Sequence, residues 1–448
     1  MSEDSVDNDS VDNGSVDKTV LLIRGGRVID ETGERLADVL VRGSVITEVG
    51  AGLDVPAGAT VLDARDAVVA PGLVDLQVHF RDPGREDSET IETGARGAAL
   101  GGFTAVVCMP NTNPPLDDAG VVQSVLERGR EAVCDVRVAG CITRGREGKE
   151  LAPLGELYDL GVRVFTDDGD CVADAGVMRR ALEYSTALPG AVIAQHAEDP
   201  ALVAGGHMHE GEWSSRLGIP GRPSEAEITI VARDLALAAR AGARYHVLHL
   251  STAGAAALVR EAKARGVRVS AEASPQHFTL TDEACASFDP VFKMNPPLRT
   301  AADVDGVIAG LIDGTIDAIA TDHAPHAPET KAVPFEEAPP GMLGTETALA
   351  VAITRLVEPG SLPLASVLAL LSWKPARIAS LEEHGGPIAP GRPAHLCVID
   401  PSATWVVDAT RLASRSRNSP FDGWKLTGQV RHTVCRGEAV VIDGLAQR

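Results

Sequence analysis

Asp75-Leu76-Gln77-Val78-His79-Phe80-Arg81-Asp82-Pro83-Gly84 closes an apolar run with a metal-ligand pattern from which one member is missing. On a β-strand, residues two apart face the same way, so positions 77 and 79 address one ion and Arg81 continues that face. A histidine at position 77 would make this a His-x-His zinc strand; the residue is glutamine. Four other β-prone segments end in the same manner. Residues 162–165 run into Thr166-Asp167-Asp168-Gly169, and 191–194 into Gln195-His196-Ala197-Glu198-Asp199. Residues 245–248 run into His249, and 316–320 into Thr321-Asp322-His323-Ala324-Pro325-His326. Five short apolar segments that each end in a carboxylate or an imidazole are not a chance distribution.

The intervening sequence explains this register. Residues 71–380 read as strand, helix, strand, helix throughout, and further strand candidates end near Pro110, Cys141 and Phe278, which makes eight. Between them lie helical stretches such as 224–241, with Ile228, Val231, Leu235 and Ala238 at helical spacing, and 253–265. Eight such units over roughly 300 residues predict an α/β fold of the (β/α)₈ TIM-barrel type, whose active site forms at the C-terminal strand ends. The candidate ligands stand there. Residues 19–70 and 381–448 carry short alternating strands with Gly-rich turns, and are expected to pair into one small β-sandwich built from both termini. Residues 1–18 repeat Ser-Val-Asp three times and hold little to bury, so a disordered acidic tail is expected.

Composition narrows the function. A chain of 448 residues buries a large core, and a formal charge of −22 opposes binding to nucleic acid or anionic membrane. No apolar run reaches the roughly 20 residues of a membrane span, and no signal peptide opens the chain. Seven scattered cysteines without a C-x-x-C pair point to reduced thiols and a cytoplasmic location.

With these residues in view the chain resembles the class I dihydroorotases of the amidohydrolase superfamily, from about residue 21 to 444. The resemblance rests on Pro71-Gly72-Leu73-Val74-Asp75 leading into residues 78–84, and on Glu89-Thr90-Ile91-Glu92-Thr93-Gly94. It rests equally on Met109-Pro110-Asn111-Thr112-Asn113, Phe165-Thr166-Asp167-Asp168-Gly169, Lys293-Met294-Asn295-Pro296-Pro297-Leu298-Arg299 and residues 320–326. It implies a zinc-dependent enzyme of pyrimidine synthesis that interconverts N-carbamoyl-L-aspartate and L-dihydroorotate. It also implies a homo-oligomer, with aspartate carbamoyltransferase as a partner some members scaffold.

Carried over residue by residue, the resemblance implies two zinc sites. The first takes position 77, His79, Asp168 and Asp322; the second takes Asp168, His196 and His249, with Asp168 bridging. Zinc accepts imidazole nitrogen and carboxylate oxygen and lowers the pKa of a bound water toward about 7. Asp322 would be the catalytic acid and base. Arg81, Asn111, Asn295 and His326 would hold the substrate carboxylate, Pro340 and Gly341 would offer backbone groups to the ring, and the 327–339 loop would act as a lid. Asp167 is expected to bond locally, His323 to orient or underpin Asp322, and His207-Met208-His209 to be a structural loop.

Gln77 leaves three readings open: a weak neutral ligand, an enzyme working with the intact second site and a loosely held partner ion, or an inactive subunit scaffolding aspartate carbamoyltransferase. Loss of function tends to erode several ligands together, whereas the other ligand positions are intact, so an active enzyme is expected. A hydantoinase or allantoinase is the other enzyme class to weigh. A hydantoinase is expected to bridge its metals with a carboxylated lysine, and the 165–169 motif contains none.

Overall fold

The computed structural model describes residues 19–448, so the expected acidic tail lies outside the described residues. Eight strands form one parallel sheet: β1 (Leu73–Val78), β2 (Phe103–Cys108), β3 (Asp135–Gly140), β4 (Val164–Phe165), β5 (Val192–Gln195), β6 (Tyr245–Val247), β7 (Val269–Ala273) and β8 (Ala318–Ile319). Each pairs with its sequence neighbour. β1 and β2 are buried at every position, as strands covered on both faces must be.

The ring closes between β1 and the residues just after β8. Thr321 donates its backbone N–H to Asp75 Oδ1 at 3.0 Å and its hydroxyl to Asp75 Oδ2 at 2.6 Å. His79 N–H donates to the His323 carbonyl at 2.8 Å. Helices cover the outside of the ring. Glu225–Ala241 stops at Gly242, where φ is +68°, and Ala253–Ala264 is capped by Thr252, whose hydroxyl accepts from Ala255 N–H. Helix Ile91–Leu100 packs so closely on β1 that a Cβ on Gly94 would stand 2.4 Å from the Phe80 ring.

Strands from both ends of the chain join in a nine-stranded sheet. Its middle is Val68–Pro71, parallel to Val20–Asp30 and antiparallel to Leu396–Val406. Only Gly72 separates that strand from β1, so the sheet and the barrel share a continuous run of backbone. A core of Leu21, Ile23, Val39, Leu62, Val69, Leu396 and Val398 holds the two ends together.

Two local expectations need correction. β7 ends at Ala273, short of Phe278, because Pro275 has no N–H to give a neighbour and His277 N–H turns back to the Ser274 carbonyl. Residues 208–209 form a two-residue strand against Gly221–Arg222 where a loop was expected. His207 Nδ1 meets Lys293 Nζ at 3.2 Å and His209 Nδ1 meets Arg299 at 3.3 Å, so these imidazoles are taken up in local contacts.

At the end of the barrel away from the candidate ligands, Asp135 at the start of β3 receives His384 Nε2 at 2.8 Å and Arg436 Nη1 at 3.0 Å. His384 Nδ1 meets Thr104 Oγ1 at 3.2 Å, and its ring lies 4.0 Å from that of His395. Burial works to raise the Asp135 pKa, but the bond from His384 and the positive charges beside it outweigh burial and bring it down to about 2. This cluster pins the terminal sheet to the barrel. Asp135→Asn leaves Arg436 without its carboxylate and weakens the bond from His384, and is expected to destabilise the protein by about 2 kcal/mol, discounted from a fully buried pair because Arg436 is partly exposed. The midpoint of urea unfolding checks this, and an unmoved midpoint would show that the seam does not depend on this carboxylate.

Candidate active site

His79, Asp168, His196, His249 and Asp322 leave five strand ends and meet at one point. His79 Nε2 lies 3.0 Å from Asp322 Oδ1 and 3.3 Å from Asp168 Oδ2. The other oxygen of Asp168 lies 3.3 Å from His249 Nε2 and 3.6 Å from His196 Nδ1, and those two nitrogens are 2.9 Å apart. Asp168 therefore faces His79 with one oxygen and the His196–His249 pair with the other, which is the arrangement of a bridging carboxylate. His249 and Asp322 hold positive φ, 31° and 47°, a strained backbone for residues with side chains. The fold imposes that strain where the strand ends turn inward.

The outer hydrogen bonds decide what these rings present to the centre. His79 Nδ1 lies 2.9 Å from Asn111 Oδ1, an acceptor, so Nδ1 carries the proton and Nε2 turns a lone pair toward two carboxylates. His196 Nε2 lies 3.1 Å from Glu198 Oε2, which by the same reasoning leaves Nδ1 to face His249 and Asp168. Lone pairs and carboxylate oxygens that converge in a buried space repel one another unless a cation lies among them. The set of imidazole nitrogen and carboxylate oxygen therefore fits a metal ion. The same demand appears in the protonation of the groups. Against burial, which opposes it, bonds to Asp168 and Glu198 raise His196 to about 10, and His249 is raised by Asp168. Asp168, although buried, is held well below the usual carboxylate range by His196, His249 and His79.

Above this floor lies a cavity of about 200 Å³. Arg81, Asn111, Asn295, His326, Pro340 and Gly341 all line it, as the sequence analysis expected, together with Arg85, to which no role was given. Arg81 Nε donates to the Pro325 carbonyl at 3.2 Å. His326 N–H donates to Asn418 Oδ1 at 3.2 Å, and its Nε2 donates to the Pro340 carbonyl at 2.8 Å. Burial and the charge of Arg81 push the His326 pKa down to about 2, so its ring is neutral at physiological pH. Within the 327–339 loop, Lys331 bonds the Pro290 and Pro339 carbonyls at 2.9 and 2.8 Å, which ties the loop to the 290–292 turn.

Gln77 is the expected site residue that does not line the cavity. It is fully buried on β1, and neither atom of its side-chain amide has a hydrogen-bond partner among the described residues. Asp167 bonds locally: it accepts from the Ile142 and Thr143 amides at 2.8 and 2.9 Å and from the Thr143 hydroxyl. His323 departs from expectation. Its ring bonds Glu89 at 3.4 Å and accepts from the Gly344 amide at 3.2 Å, so its backbone, not its ring, supports the site. Glu198 and the paired role of Asn111 were missed. Glu198 stands two residues after His196 in the quoted segment, but its value depends on Arg222, 3.2 Å away, and on ring orientation, neither of which spacing reveals.

Comparison with known proteins agrees with this geometry. The model of the dihydro-orotase-like family matches residues 66–255, and that of an amidohydrolase family matches residues 207–441. A dihydroorotase of Streptomyces coelicolor is 49% identical over 94% of this chain and 98% of its own length. The dihydroorotase of Mycobacterium leprae is 49% identical over 93% of this chain and 97% of its length. This chain belongs to the dihydroorotase family. Among solved structures it is similar to an L-hydantoinase from Arthrobacter aurescens, with a TM-score of 0.86 and 26% identity over 96% of this chain and 97% of that one. A D-hydantoinase from Thermus sp. superposes with a TM-score of 0.83 at 26% identity, covering 95% and 96% of the two chains. Members of this family are hydrolases acting on cyclic amides, and a barrel with its centre at the C-terminal strand ends is where such chemistry is built.

Proposed function

We propose that this chain is a dihydroorotase that cyclises N-carbamoyl-L-aspartate to L-dihydroorotate, reversibly, in pyrimidine synthesis. The observation that carries this reading is one cavity in which the Arg81 guanidinium stands opposite a cluster of imidazoles and carboxylates containing Asp322. A small cyclic amide that also bears a carboxylate uses both halves of such a cavity. A hydantoinase substrate has no carboxylate for Arg81, and the carboxylate of Asp168 occupies the bridging place where a hydantoinase is expected to carry a modified lysine. We assign two zinc ions, one between His79, Asp168 and Asp322, the other between Asp168, His196 and His249. When bound, they would polarise the amide carbonyl and make a water acidic at neutral pH.

The chain's own residues do the rest. Arg81 takes the substrate carboxylate in two parallel bonds, with Asn111 Nδ2 and Asn295 offering further donors and neutral His326 lining the same end of the pocket. Asp322 stands on the metal side of the cavity, where its carboxylate takes a proton as the ring amide is attacked and returns it to the departing nitrogen. Gln77, two residues before His79 and without another partner, is assigned as a weak oxygen donor to the first site. A buried amide left unbonded costs about 1–3 kcal/mol. The retained ligands favour an active enzyme over a subunit that only scaffolds a transcarbamoylase. A homo-oligomer in the cytoplasm completes the reading, supported by free cysteines that are mostly buried and by the lack, among the described residues, of a helix long and apolar enough to cross a membrane.

The zinc-loaded protein is expected to hydrolyse L-dihydroorotate and to leave hydantoin and allantoin largely untouched. Hydrolysis releases a carboxylic acid that ionises, so rising pH draws the equilibrium toward carbamoyl aspartate, and cyclisation is favoured on the acidic side. Turnover assays in both directions check this; hydantoin as the better substrate would replace the reading, and no turnover of any of the three would favour the scaffold.

Arg81→Lys keeps the charge but loses the fork, and is expected to raise KM ten- to a hundred-fold with a smaller effect on kcat. Asp322→Asn is expected to lower kcat by about a thousand-fold while the zinc at Asp168, His196 and His249 stays bound. Steady-state kinetics with elemental analysis separate the two, and identical defects would refute the division of roles.

Gln77→His replaces an amide oxygen with a better zinc donor. During chelator titration the wild-type protein is expected to lose one zinc well before the other, and the variant to hold that first ion longer. Coinciding zinc-per-chain curves would place Gln77 outside the metal site.

A further inference from the structure

The cavity contains more positive charge than recognition of one carboxylate requires. Arg81 and Arg85 both line it, on a single turn: the Arg85 amide donates to the Arg81 carbonyl at 2.8 Å, and Ser88 N–H returns to the Arg85 carbonyl at 3.0 Å. Gly84 permits that turn. Its φ is +109°, and a Cβ there would stand 2.5 Å from the Asn113 carbonyl oxygen. The backbone thus fixes where both guanidinium groups start.

Two nearby arginines have acidic partners. Arg128 is bonded to Asp82, and Arg146 meets Asp170 at 2.6 Å. Arg85 forms no ion pair or side-chain hydrogen bond among the described residues; Asp87 acts on it only through space. Burial, then the neighbouring charge of Arg85, brings Arg81 down from its ordinary value to about 9, and burial likewise lowers Arg85. Arg81 is buried and Arg85 is exposed at the edge of the cavity; their charges repel each other, and an anion held by both removes that repulsion. Arg85 is thus a cation placed at a ligand site and left without a protein counterion.

We propose that Arg85 forms a second anion-binding position that selects ligands by charge, favouring the dianion carbamoyl aspartate over the monoanion dihydroorotate, and both over neutral cyclic amides. This rests on the dihydroorotase reading and adds to it. The carboxylate assigned to Arg81 is common to both substrates, whereas the second carboxylate of carbamoyl aspartate exists only before ring closure. A second cation at the cavity therefore stabilises the doubly charged open substrate more than the singly charged ring.

The test is calorimetric titration of carbamoyl aspartate and dihydroorotate into zinc-loaded wild-type protein, Arg85→Gln and Arg85→Lys, with KM and kcat measured beside it. Arg85→Gln is expected to weaken the dianion about ten-fold and the monoanion about three-fold, with KM moving more than kcat. Arg85→Lys should recover part of the loss, and added salt should weaken the wild type more than Arg85→Gln. Unchanged binding of both compounds in Arg85→Gln, or equal loss for the two, would overturn the proposal. Binding is read without turnover, so a wild-type protein that binds carbamoyl aspartate through Arg85 but does not cyclise it would overturn the dihydroorotase reading and leave this inference standing.

Discussion

Closure of the barrel between β1 and β8 is the constraint on which the site depends. Asp75 accepts two hydrogen bonds from Thr321, and His79 N–H bonds the His323 carbonyl, so the first and last strands are locked in one register. That register brings His79 and Asp322, separated by 243 positions, to 3.0 Å. A shift of one residue would turn Asp322 out of the ring, because side chains alternate across a strand. The positive φ of Asp322 is a local cost of this placement, which the closed ring over-determines.

Charge is sorted across the cavity. Carboxylates of Asp168 and Asp322, with Glu198 behind His196, gather with the imidazoles at the floor, while Arg81 and Arg85 stand along the walls. In a chain of net charge −22 this local concentration of cations gives an anionic substrate a preferred end of the molecule. The amides of Asn111 and Asn295 contribute donors, and neutral His326 lines the wall, without adding to the repulsion among the guanidiniums. The site is thus bipolar, and a ligand carrying a carboxylate at one end and an amide carbonyl at the other is read in one orientation.

The terminal sheet contributes rigidity. Its strand Val68–Pro71 enters β1 through Gly72, where a Cβ would collide with Thr104, so the backbone of the sheet leads without slack into the strand that carries Gln77 and His79. At the far end of the barrel Asp135, His384 and Arg436 tie the returning C-terminal segment to β3. A centre built from five side chains on five strand ends benefits from elements that are fixed at both ends.

Much of this was legible in the linear chain. Short Val- and Ala-rich runs ending in His79, Asp168, His196, His249 and Asp322 determined the strand ends and the ligand types, because a run buried on both faces has no reason to end in a charge except at a site. Helical spacing between Ile228 and Ala238 determined the alternation, and the two-residue period determined that His79 and Arg81 share a face. What the chain could not specify was set by contacts between distant segments. The fourth strand is only Val164–Phe165, defined by pairing with its neighbours and not by its own residues. The proton on His79 depends on Asn111, and that on His196 depends on Glu198; the ring of His323 goes to Glu89, a partner 234 positions away. Arg85 is one arginine among many in the sequence. Only the fold, by pairing Arg128 with Asp82 and Arg146 with Asp170 and leaving this one at the cavity without a carboxylate, distinguishes it, since the meaning of a charge lies in what surrounds it.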